Sequence, residues 1–227
     1  MGLKRTIIIA NGELDDLDAA RAAIRPDDLL IAADGGLRWF RALGLTPHVV
    51  VGDLDSITEA DHQALSEAHV RVEQFPTRKD ETDLELALRL ACAEGAEDIL
   101  ILGALGGRWD QTLANLLLLA HPVLRGVRTR LADGNQTIYL IQNQENIEGQ
   151  PGDTVSLIPL SGDAHGVTTH GLEYPLSEGS LPFGATLGIS NVLLGTTATV
   201  EVREGLVMCV VIRGQESEVQ DTGARSQ

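Results

Sequence analysis

An α/β fold is predicted for the first 130 residues, with a mostly parallel sheet and flanking helices, followed by a C-terminal all-β, sandwich-like domain. Three observations predict it. Short, continuous apolar runs recur in the first part, each ending in a polar or glycine-containing turn. Helix-patterned stretches fall between them. After about Arg130 the helical pattern stops, while short strand-like runs continue. Unbroken apolar runs suit strands covered on both faces, as the helical crossovers of a parallel sheet cover them.

The strand runs of the first part are Thr6–Ala10, Leu29–Asp34, Val49–Asp53, Val70–Phe75 and Ile99–Gly103. The clearest helix between them runs from Asp83 to about Glu94, because Leu84, Leu88 and Cys92 recur on one face. Thr82 and Glu85 have capping-box spacing, and Gly95 is a good stop. A second helix starts at Thr58 and ends near Glu67, and a third spans Gln111 to Ala120, before Pro122. In the second part, strands are expected at Thr137–Ile141, Thr154–Ile158, Gly166–Thr169, Thr186–Ile189, Thr197–Val202 and Leu206–Ile212. The last two flank Arg203-Glu204-Gly205, which reads as a compact hairpin connection. The expected division is 1–130, 131–213 and a flexible tail, 214–227.

Length and charge narrow the function. A chain of 227 residues can bury a sizeable core in one or two domains. Its 33 Asp and Glu against 17 Lys and Arg give a net charge of -16. Such a surface is a poor match for a phosphate backbone, so a nucleic-acid role is not expected. Residues 131–227 are the more extreme, with 12 acids, three bases and no lysine. Cys92 and Cys209 sit in apolar contexts without metal spacing and read as buried thiols. The run Ile7–Ala10 is far too short for a signal peptide or a membrane span, so a cytoplasmic protein is expected. The six histidines are dispersed, and Gly184-Ala-Thr-Leu-Gly188 lacks a nucleophilic serine, so zinc and serine hydrolases have no anchor.

Acids recur at strand ends, where open α/β sheets bind ligands. Gly52-Asp53-Leu54-Asp55-Ser56 delivers two carboxylates that face one ligand if the backbone turns through Leu54. Carboxylate oxygens suit magnesium, which bridges to phosphate; a strand-end acidic turn with a helix cap is the plainer alternative. Arg78-Lys79-Asp80-Glu81-Thr82-Asp83 forms a second cluster. Asp83 is equally explained by its place in the first turn of a helix, and Lys79 by charge balance or by phosphate contact. Gly103 to Asp110 forms a third, with glycines for close approach and Arg108 as an anion donor, but it is no P-loop. Asp34-Gly35-Gly36 supplies a fourth strand-end acid. Their recurrence, more than any one of them, points to a magnesium–nucleotide site.

Together these motifs resemble the thiamine pyrophosphokinase family. The matching segments are Ala33–Gly36, Gly52–Ser56, Lys79–Asp83 and Gly106–Asp110, followed by Asn115 and, later, Gly188-Ile-Ser-Asn191. The resemblance implies transfer of a pyrophosphoryl group from ATP to thiamine, giving thiamine diphosphate and AMP. It implies a homodimer with thiamine sites between subunits. It implies Asp53, Asp55 and Asp83 as magnesium ligands, supported by Asp80, with Asp34, Ser56, Lys79, Arg108 and Asn115 toward the nucleotide. Arg108 and Asp110 would border the reacting groups, and Ser190 and Asn191 would receive thiamine. Gln111 stands where many bacterial members carry histidine, and its amide cannot titrate near neutral pH. Two other readings compete: a pyrophosphokinase for a pterin-type hydroxymethyl substrate, and a non-catalytic nucleotide sensor.

Overall fold

The structure is a computed structural model, and it describes residues 4–55 and 57–214. The expected α/β order is present. It runs β1 (Arg5–Ile9), α1 (Leu17–Ala23), β2 (Leu29–Ala33), α2 (Leu37–Leu43), β3 (Val49–Gly52), α3 (Glu59–Glu67), β4 (Arg71–Gln74), α4 (Asp83–Ala93), β5 (Asp98–Leu102), α5 (Trp109–Leu118) and β6 (Arg128–Asp133). These strands pair in parallel in the order β6-β5-β1-β2-β3-β4. Period-two alternation buries both faces. Ile8, Ile31 and Ile101 meet Leu84, Ala87, Leu88 and Ala91 of α4, whereas Ile7 and Ile9 meet Ala20, Phe40, Leu43 and Leu65 from α1, α2 and α3.

Eight more strands follow: β7 (Gln136–Ile141), β8 (Gln144–Glu148), β9 (Thr154–Pro159), β10 (Ala164–His170), β11 (Gly179–Leu181), β12 (Asn191–Val192), β13 (Thr197–Glu201) and β14 (Val207–Ile212). Strand β7 pairs antiparallel with β6, and β14, β9 and β12 extend the same sheet to ten strands. The sheet therefore continues without a break through residue 130. A second sheet, β11-β10-β13-β8, packs on its extension. Between them lies a sandwich core that includes Ile141, Ile147, Val155, Leu157, Val167, Val200, Val207 and Cys209.

Several details differ from expectation. Thr186–Ile189 is a turn, not a strand: Gly188 has φ +98°, Ser190 has φ +57°, and Leu187 and Ile189 point outward. Arg203–Gly205 does not close a hairpin. Strand β13 lies in the small sheet and β14 in the large one, so this connection carries the chain between sheets. Helix α5 begins two residues earlier than expected. Thr82 caps α4 by accepting from the Glu85 N–H, but the Glu85 carboxylate pairs with Arg89 instead of completing the box. Cys209 is buried as expected, while Cys92 is only partly so. Tail residues 215–227 lie outside the described residues. Among the described residues, no helix is long and apolar enough to cross a membrane.

A buried ionic network ties the amino ends of the strands. Arg5 of β1 donates to Asp28, just before β2, at 2.8 Å, and approaches Asp98 of β5 at 3.8 Å. Arg130 of β6 donates to both Asp98 oxygens at 2.9 Å. The opposite, carboxyl ends are left for the ligand cleft.

Candidate active site

A cleft of about 760 Å³ opens above the carboxyl ends of β1, β2, β3 and β5 and the N-terminus of α4. The chain steps from β1 outward through β2, β3 and β4, then returns to β5 on the other side of β1. This reversal splays the connections apart and leaves a crevice. The loops after β1 and β5 are tied together there. Gly12 N–H donates to Gly103 O, and Glu13 N–H donates to Leu105 O at 2.8 Å. A side chain at Gly12 in the cleft lining would meet the Leu105 carbonyl at 2.4 Å, and one at Gly36, buried in the turn after β2, would meet the Ile9 carbonyl at 2.0 Å, so both positions require glycine.

Asp34 and Asp53 line this cleft, and Asp55, exposed at its edge and outside the lining, completes a triangle in which each carboxylate brings an oxygen within 4.8 Å of the others. The backbone achieves this at two left-handed residues. Asp34 has φ +44°, and Leu54 has φ +64° while its side chain is buried in the core beneath. The condition set from sequence, a turn through Leu54, is thus met and aims Asp53 and Asp55 together. Their titrations diverge. Burial pushes the Asp53 carboxyl up. The Asp55 N–H, the Asp55 carboxyl, the Thr77 hydroxyl and Lys79 together outweigh this and hold it below the ordinary carboxylate value. Asp55 is raised, first by the negative charge of Asp53 and by their shared hydrogen bond, then by desolvation and by Asp34 and Asp83. Three hard oxygen donors in mutual repulsion are a fitting set for a divalent cation.

The sign of the Asp55 shift gives a stability prediction. Between its ordinary and raised pKa the folded chain holds more protons than the unfolded one, so stability falls as pH rises through that window. The penalty persists at neutral pH. Asp55→Asn is therefore expected to raise the cation-free thermal midpoint at pH 7 above wild type, with the difference closing on acidification. Differential scanning calorimetry across pH would read it.

Asp83 lies in the same cleft but outside the carboxylate triangle; Lys79 Nζ donates to its Oδ1 at 2.8 Å. Arg108 lines the cleft, and its guanidinium donates to Asp110 at 3.1 and 2.5 Å, holding the Asp110 carboxyl below its ordinary value. Asp110 itself is exposed and is not part of the cleft lining, nor is Asp80. Asn115 is buried beneath the cleft, and its amide donates to Ala104 O at 2.7 Å, fixing the loop after β5. Ser56 lies outside the described residues. Ser190 and Asn191 do not line this cleft. Asn191 is buried and spends its amide on backbone, donating to Tyr174 O and accepting from Tyr174 and Val192 N–H groups. Ser190 is exposed beside it.

Arg38, Thr77, Glu13 and Glu81 also line the cleft, and sequence reasoning did not select them. Arg38 donates to Asn11 O and Gly12 O at 3.0 Å and sits 4.7 Å over the Trp39 ring, whose Nε1 donates to Gly12 O. These contacts organise the loop after β1. The only sequence signal for them was the polar turn Asn11-Gly12.

Comparison with known proteins adds to this geometry. The family description "Thiamin pyrophosphokinase, catalytic domain" matches residues 20–131, and "Thiamin pyrophosphokinase, vitamin B1 binding domain" matches residues 137–207. The thiamine pyrophosphokinase of Bacillus subtilis is 31% identical over 210 residues, 92% of this chain and 98% of that protein. The chain belongs to the thiamine pyrophosphokinase family. The crystal structure of the Bacillus subtilis thiamine pyrophosphokinase superimposes with a TM-score of 0.83 at 32% identity, covering 93% of this chain and all of the other. That of the Geobacillus thermodenitrificans thiamin pyrophosphokinase gives 0.80 at 26% identity, covering 93% and 99%. Within this thiamine pyrophosphokinase fold, the catalytic match contains Asp34, Asp53, Asp55, Lys79, Asp83 and Arg108, and the vitamin-binding match contains Ser190 and Asn191.

Proposed function

We propose that the chain transfers the pyrophosphoryl group of ATP to the hydroxyl of thiamine, forming thiamine diphosphate and AMP. The observation that carries this reading is the convergence of Asp34, Asp53 and the neighbouring, exposed Asp55 beside a cleft that Asp34, Asp53, Lys79 and Arg108 line. Carboxylates alone would repel a triphosphate. Asp34, Asp53 and Asp55 would hold magnesium, which, when bound, neutralises and aligns phosphate oxygens. Asp83 acts by holding Lys79 in the cleft, where its ammonium meets phosphate charge. Arg108 swings from Asp110 to a departing or transferred phosphate; both side chains are exposed enough to move.

The thiamine oxygen attacks the β-phosphorus, the bond from that phosphorus to the bridging oxygen breaks, and AMP departs with that oxygen. The hydroxyl proton passes to a cleft carboxylate and then to solvent. Asp110 is the poorer acceptor because it lies outside the cleft lining. The acid-rich walls also favour the cationic thiazolium ring of the acceptor. With ATP and magnesium, thiamine is expected to support AMP release and a pterin bearing a hydroxymethyl group is not; the reverse preference would overturn the assignment.

Ser190 reaches thiamine in this reading from a second copy of the chain, in the cytoplasm. Two exposed apolar surfaces support a homodimer. Trp109, Leu113 and Leu117 recur every four residues along α5, beside Arg108, and remain exposed. Tyr174, Phe183, Leu187, Ile189 and Leu194 are exposed in the loops before and after Ser190. Leu113→Asp/Leu117→Asp is expected to give a monomer in analytical ultracentrifugation and to raise KM for thiamine at least 10-fold.

A further inference from the structure

A second large concavity lies at the other end of the parallel strands. It has a volume of about 800 Å³ and shares no lining residue with the catalytic cleft. Arg128 and Arg130 enter it from the start of β6, opposite the amino end of β5. Strand β8 forms one wall. It is the edge of the small sheet, and its polar side chains Gln144 and Asn146 are exposed. Arg125, after α5, and Arg213, after β14, complete the lining cations.

The charge of this groove runs against that of the molecule. The chain carries a net charge of -16, yet four arginines line the groove against two acids, Glu145 and Glu148. Arg130 is already matched by Asp98. Among the described residues, Arg125, Arg128 and Arg213 pair with no carboxylate. Unmatched guanidinium groups present planar N–H forks suited to phosphate oxygens. Tyr139, half-buried in the same groove, supplies a ring surface for an organic body.

We propose that this groove is a second ligand site that binds a small phosphorylated molecule, its phosphate held by Arg125 and Arg128. The inference does not rest on the catalytic reading, because none of the cleft residues takes part. The probe is inorganic pyrophosphate, titrated calorimetrically into the full chain without divalent cation. Under that condition the carboxylates of the cleft repel it. Saturable one-site binding is expected for wild type and equally for Lys79→Gln/Arg108→Gln, which removes two cations of the catalytic cleft. Arg125→Gln/Arg128→Gln is expected to weaken it at least 10-fold; both side chains are exposed, and an unchanged thermal midpoint would verify the fold. Absence of saturable binding, equal affinity in Arg125→Gln/Arg128→Gln, or loss of binding in Lys79→Gln/Arg108→Gln would each overturn the site.

Discussion

Asp53→Asn is expected to lower kcat/KM for thiamine by at least about 100-fold while leaving the chain folded. The substitution keeps the side-chain shape but removes one of three carboxylates whose oxygens lie within 4.8 Å. Outer partners of metal ligands typically contribute about 10–100-fold to affinity or activity, so loss of a direct ligand reaches at least the upper figure. The same change releases Lys79 from one of its two acidic neighbours and removes the charge that raises Asp55. Steady-state kinetics over a magnesium titration would separate the two effects. A uniform loss of turnover at saturating magnesium places Asp53 at the reacting phosphates, whereas full rescue by excess magnesium confines it to cation affinity. Activity near wild type at every magnesium concentration would remove Asp53 from the site.

The second large effect concerns stability. Asp98→Ala is expected to destabilise the fold by about 3–5 kcal/mol, because it removes the carboxylate toward which Arg5 and Arg130 both converge. Arg5 retains Asp28, but Arg130 would keep its guanidinium at the sheet's amino end with no ion-pair partner among the described residues. For a chain of this size that corresponds to a fall of roughly 6–20 °C in thermal midpoint. Thermal unfolding followed by circular dichroism would measure it. A drop below about 1 kcal/mol would mean that the network contributes no more than a surface pair.

The legibility of the fold tracked apolar contrast. Strands β1, β2, β3 and β5 are covered on both faces, so each reads as an unbroken apolar run. Helix α4 has a cap and a full apolar stripe. Helices α1 and α2 have only seven residues each, and α2 starts at a glycine without a side-chain cap, so neither was visible. Strands β6 and β8 were missed because their outward positions are charged or polar, leaving one fully buried apolar residue apiece, Leu131 and Ile147. The hairpin expected at Arg203–Gly205 failed because a short turn between two apolar strands does not encode whether they share a sheet.

The site divides the same way. Asp34, Asp53 and Asp55 were legible because each ends an apolar strand, and strand ends of an open sheet converge in space. A turn through Leu54 was read as the condition for Asp53 and Asp55 to face one ligand; that it is left-handed was not legible. What sequence could not convey was rank among neighbours: Asp34 joins the triangle, while Asp83 stands apart with Lys79. Arg38 lay inside an unrecognised helix, so nothing connected it to the loop it fastens. Asn191 was read as a ligand group, and its amide is committed to the backbone around Tyr174.

One product assay tests the central reading most directly. The chain is incubated with ATP, magnesium and thiamine, and the products are resolved by chromatography. Pyrophosphoryl transfer predicts thiamine diphosphate and AMP in equal amounts, both dependent on thiamine. Thiamine monophosphate with ADP, or ATP consumption that ignores thiamine, would contradict it.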